Sequence, residues 1–193
     1  MLKLIRKLLG IDGELEEISQ ENLGSIDVRN SENSRDLLNW ILKERIKKVY
    51  YLTANYEKGE NYFDEYDLLD VGLVLELSNS KWLNWFWIEE GYTGDFEYNV
   101  SKRNILRRFH KTFYRTEELT STSKWKELIG ENITDVRFQF EETEGKTYLS
   151  KMELLLANHK ITVCSIKEPK RDQKIDIMNL EFSTEWSIIV FEN

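Results

Sequence analysis

A chain of 193 residues with 40% hydrophobic side chains, among them six Trp, nine Tyr and nine Phe, has the material for its own core and is too aromatic to be disordered. Its formal net charge of −8 excludes bulk attraction to a phosphate backbone, which rewards clustered Lys and Arg. A lone cysteine, Cys164, excludes an intrachain disulfide, so the expectation is a cytoplasmic protein with a buried thiol.

Residues 1–9 interleave Lys3, Arg6 and Lys7 with Leu4, Ile5, Leu8 and Leu9, which interrupts any secretory apolar run and predicts a short amphipathic helix. Laid on the domain, that helix is structural. Freed from it, the helix is a membrane-surface or partner-binding element. Residues 10–33 carry Gly10, Gly13 and Gly24 and read as a loop with a short helix. Asn33 or Ser34 then caps a predicted helix through Lys48, whose core stripe is Leu38, Ile41, Leu42 and Ile46. Residues 49–56 read as a strand entering a turn at 57–61.

The strongest strand pattern follows. Residues 73–77 and 82–88 flank the polar turn 78–81 as a hairpin. Leu83, Trp85 and Trp87 point one way and Trp82, Phe86 and Ile88 the other, so the second strand is expected to be central and covered on both faces. Its tryptophans read as core before they read as a binding platform. Ser101 is placed as the cap of a helix with Ile105, Leu106, Phe109 and Phe113 on one arc and Arg103, Arg107 and Lys111 on the other. A further helix is predicted over 123–129 with Gly130 as its stop. The remainder reads as a meander: strands at 133–140, 148–156, 160–166, 175–182 and 186–191, with turns at Gly145 and Asn158-His159 and the single proline, Pro169, in a charged loop.

The predicted fold is therefore α+β, mostly antiparallel hairpins and meander with a few packed helices. It spans residues 1–193 as one domain, either undivided or built as two lobes, 1–116 and 117–193.

Chemistry is sparse. His110, His159 and Cys164 have no ligand spacing, and the chain lacks a P-loop, a dinucleotide-binding glycine pattern, a nucleophile elbow or a zinc-protease motif. No cofactor, metal or catalytic group is expected. Charge is the remaining signal. Between residues 57 and 97 eleven acids face two lysines, whereas from Lys102 to Arg115 there are six basic side chains and no acid. The two segments either neutralise each other in the fold or leave the acids for a basic partner. The candidate partner surface is Asp64, Glu65, Asp67 and Asp70, with Tyr62, Phe63 and Tyr66 interleaved as aromatic anchors, in an expected loop before the Leu73 strand.

The string Trp125-Lys-Glu-Leu-Ile-Gly-Glu-Asn-Ile-Thr-Asp-Val136, followed by Met152-Glu-Leu-Leu-Leu-Ala-Asn-His-Lys160, resembles small bacterial proteins of the toxin-immunity and uncharacterised type, over about the last 70 residues. The resemblance implies a non-enzymatic protein that neutralises a toxin domain by stoichiometric binding, and it carries over no active residue. An acidic chain suits a basic toxin, because complementary fields steer encounter. The alternative is a structural or regulatory adaptor held near a membrane by its first helix.

Overall fold

A computed structural model describes residues 23–54, 66–69, 71–90, 95–106, 114–143, 145–166 and 186–192. Every strand pair in it is antiparallel, as the hairpin spacing predicts. The strands in chain order are β1 (Ser25–Ile26), β2 (Ile46–Ala54), β3 (Tyr66–Leu69), β4 (Gly72–Leu77), β5 (Trp82–Glu90), β6 (Asp95–Ser101), β7 (Tyr114–Glu118), β8 (Ile133–Thr143), β9 (Lys146–Leu156), β10 (Lys160–Ile166) and β11 (Trp186–Glu192). They form a six-stranded sheet ordered β1-β6-β5-β4-β2-β7 and a five-stranded sheet ordered β3-β11-β10-β9-β8. Two α-helices lie wholly among the described residues, α1 (Ser31–Ile41) and α2 (Ser123–Lys126).

One apolar cluster draws on both sheets: Tyr51, Leu75, Leu83 and Trp85 from the first, Leu69, Met152, Leu154 and Val163 from the second, and Leu37, Ile41 and Trp125 from the helices. A second cluster, Leu23, Leu52, Val74, Phe86 and Ile105, lies on the other face of the six-stranded sheet. Trp85 and Phe86, adjacent in β5, are both fully buried. That is the covered central strand the double apolar alternation implies, and each such ring contributes on the order of 4 kcal/mol of gross burial energy. Gly72 lets this strand approach β4, since a Cβ there would stand 2.5 Å from the Trp85 carbonyl oxygen and 2.8 Å from the Phe86 Cβ.

Several boundaries differ from the sequence reading. The helix expected over 34–48 ends at Ile41 and is capped by Asn30, whose side chain accepts from the backbone N–H groups of Glu32 and Asn33. Lys43 takes a left-handed φ of 68°, which closes the helix, and Ile46, assigned to its stripe, opens β2 instead. Ser101 ends β6 and residues 102–106 are non-helical, so Ser101 is not an N-cap; the remainder of the helix expected there, with Arg107, Phe109, Lys111 and Phe113, lies outside the described residues. The Ser101 hydroxyl does accept from the Arg103 N–H, a capping contact without a helix behind it. Residues 66–69, expected in a loop, are strand, and β7 appears where no strand was expected. The helix at 123 is one turn long, and Gly130, at φ 90°, stands beyond it.

The lobe boundary at 116/117 falls inside β7, which pairs with β2, while β3 pairs with β11 in the other sheet. The helix expected at 1–9 and the strand expected at 175–182 lie outside the described residues.

Candidate functional site

Of the candidate surface, Tyr66 and Asp67 lie on β3, an outermost strand of the five-stranded sheet. Strand alternation divides its side chains: Asp67 and Leu69 are buried, at 3% and 0% exposure, and Tyr66 is half-buried. Asp67 is therefore part of the inter-sheet core and not of a solvated acidic loop. Asp64, Glu65 and Asp70, with Tyr62 and Phe63, lie outside the described residues.

A buried carboxylate needs donors from several directions, and Asp67 has them. The Tyr51 hydroxyl on β2 donates to its Oδ2 at 2.7 Å, and the Lys124 ammonium on α2 donates to its Oδ1 at 2.6 Å. Trp125 Nε1 donates in turn to the Tyr51 oxygen at 2.8 Å. Lys124 also reaches the Tyr66 carbonyl at 3.2 Å and stands 5.4 Å from the centre of the Phe191 ring, against which Trp125 packs edge-on at 5.1 Å. One connected network thus joins β2, β3, β11 and α2. It also shows how the Asp67 charge is met: by Lys124. The sequence contains both residues, but nothing in their spacing links them.

Among the described residues, other candidates pack or pair within the fold. Trp85 stacks on Tyr98 within the core at 5.3 Å between ring centres, and Trp82 stacks on Tyr50 at 6.4 Å outside it. Glu44, only 7% exposed, accepts from Ser78 Oγ, from Asn79 Nδ2 at 3.0 Å and from Lys81 Nζ at 2.7 Å. This locks the β4–β5 turn, with Asn79 and Ser80 both at positive φ, onto the segment after α1. Hydrogen bonds from Lys81 foremost, then from Ser78, hold the Glu44 carboxyl below its ordinary range against the opposing effect of burial.

His159 Nδ1 lies 2.6 Å from Glu131 Oε1, and the Asn158 N–H donates to the same carboxylate at 3.1 Å. Burial works to raise the Glu131 carboxyl, but the Asn158 and His159 contacts outweigh it and the net shift is downward. The pair clamps the β9–β10 turn. Cys164 is buried, and burial pushes its thiol up to about 12. Among the described residues no group of three His, Cys, Asp or Glu side chains is placed to hold a metal ion, and no helix is long and apolar enough to cross a membrane.

In the string Trp125 to Val136, the residues that carry the resemblance are scaffold: Trp125, Leu128, Ile133 and Val136 all enter the core, and the Gly130 N–H donates to the Ile46 carbonyl at 2.9 Å. A scan against protein-family models matches no family, and searches of curated proteins and of solved structures return no match.

Proposed function

We propose that this chain is a non-enzymatic cytoplasmic protein-binding module of the immunity type, which neutralises a basic toxin domain by stoichiometric binding through the acidic and aromatic residues around β3. The observation that carries the reading is the anchoring of β3. Asp67 and Leu69 are held in the core while the run Tyr62-Phe63-Asp64-Glu65 leads directly into that strand. Rigidly supported segments bind with less ordering cost than free loops, and aromatic side chains set among charges are the usual composition of interface anchors. The net charge of −8 adds long-range steering toward a basic surface.

The test begins with tagged protein recovered from its native host and the stoichiometry of any co-purifying protein. Association kinetics with that protein are then compared for the wild type and for the triple variant Asp64→Asn, Glu65→Gln, Asp70→Asn, with Asp67 left intact because its role is in the core. The variant is expected to associate at least several-fold more slowly at low salt, with a flatter salt dependence. An unchanged rate removes the acidic segment as the binding surface, and the absence of any stoichiometric protein partner removes the reading itself.

A further inference from the structure

β8 is the outermost strand at the far side of the five-stranded sheet, bonded within it to β9 alone. Its first residue is covered on the free side, where the Ile133 N–H donates to the Glu44 carbonyl at 2.8 Å and the Ile133 carbonyl accepts from the Lys43 N–H at 2.9 Å. Beyond it, residues 135–143 have no strand on that side among the described residues; the Val136 N–H donates to Asp135 Oδ1 and Arg137 Nε donates to Asp135 Oδ2, each at 2.9 Å, while Arg137, Gln139, Glu141, Glu142 and Thr143 are exposed. No proline interrupts the stretch. An uncovered edge of this length is a template for another strand.

The side chains select which strand fits. Val136, Phe138 and Phe140 lie opposite Leu154, Met152 and Leu149 of β9 and face the core, with Phe138 and Phe140 only half-buried at its margin. Asp135, Arg137, Gln139 and Glu141 take the opposite face. When a strand pairs antiparallel with its own copy about a twofold axis perpendicular to the sheet, faces match only if the pairing is centred on a residue. Centred on Arg137, two guanidinium groups would oppose each other. Centred on Phe138, Asp135 would oppose Glu141, and centred on Phe140 no opposite charges would meet. Centred on Gln139, Arg137 faces Glu141 of the second copy and Phe138 faces Phe140 of the second copy. Each pairing occurs twice by symmetry, and the favourable ladder runs over residues 137–141, inside the Asp135 side chain that caps the Val136 N–H.

We infer that the chain forms a twofold dimer in which β8 pairs with β8 of a second copy about Gln139, joining the two five-stranded sheets into one. Opposite-charge and aromatic cross-strand pairs both favour such a ladder. Charged edge residues that would repel a foreign strand become complementary in this register; centred on Val136 the Asp135 and Arg137 side chains would also meet, but only residues 135–137 of the free stretch would pair.

Sedimentation of the full chain over a concentration series tests it. The wild type is expected to show a reversible monomer–dimer equilibrium. Arg137→Glu and Glu141→Arg should each weaken it at least tenfold, since each sets like charges opposite one another. The double variant R137E/E141R should restore it, with folding checked by circular dichroism because both side chains are exposed. Directly opposed residues in antiparallel strands have Cα atoms about 4.5–5.5 Å apart, within disulfide range. Gln139→Cys should therefore crosslink two chains under mild oxidation, and Thr143→Cys, whose mate would be Asp135, should not. A monomer at every concentration, a dimer indifferent to R137E, or equal crosslinking at both positions overturns the inference.

Discussion

The Tyr51 hydroxyl and the Asp67 carboxylate, 2.7 Å apart, join β2 of one sheet to β3 of the other through the core. Because Tyr51 also accepts from Trp125 Nε1, removing its oxygen strands two buried polar groups at once. Tyr51→Phe is expected to cost about 1–3 kcal/mol of stability, and Asp67→Asn, which takes the counter-charge from Lys124, a similar amount. The two losses should add to less than their sum, because they break one network. Urea unfolding of the single and double variants measures this, and strict additivity would refute the coupling.

Acid should weaken the fold through its paired carboxylates. Glu44 and Glu131 both have carboxyls held below the ordinary value in the folded chain. Their contribution is complete above the unfolded-state value of about 4.3 and is lost as pH falls through the lower folded-state values. The urea midpoint should therefore hold steady near neutrality and decline below about pH 4. Lys81→Met, which removes the largest cause of the Glu44 shift, should lower the midpoint at neutral pH and make its decline in acid shallower. A parallel decline in wild type and variant would show that the Lys81 contact contributes nothing.

Cys164 should be inert in the native protein. A thiol that burial pushes up to about 12 is almost entirely protonated near neutral pH, and the thiolate is the reactive species. Reaction with an aromatic disulfide reagent is expected only as the chain unfolds, with a rate that follows denaturant concentration. Stoichiometric labelling under native conditions would contradict this placement.

How much of this was legible in the sequence follows the range of the interactions. The hairpin at Gly72–Glu90 and the β8 to β10 meander were readable because their apolar alternation and their turns are local. The end of α1 was not, since Ile46 continues the helical spacing while Lys43, Glu44 and the backbone bonds to Ile133 break it. β3 and β7 escaped notice for the same reason. Tyr66-Asp-Leu-Leu69 and Tyr114-Arg-Thr-Glu-Glu118 have little strand pattern of their own and are strands because β11 and β2 present edges to them. The acidic run was visible as composition, but the division within it, with Asp67 committed to Tyr51 and Lys124, depends on contacts between residues remote in sequence.

The pairing of β3 with β11 also constrains how the protein is made. Among the described residues, Tyr66 to Leu69 find their strand partners at Val190 to Ser187, about 120 residues further along the chain. While the chain is emerging from the ribosome, the six-stranded sheet can assemble once Glu118 has been made, but β3 lacks its β11 partner until residues 187–190 follow. Closing that long loop is a slow, late step. Until it occurs, the nascent chain carries an incomplete apolar face, with Leu69 and the Asp67 carboxylate lacking part of their eventual surroundings.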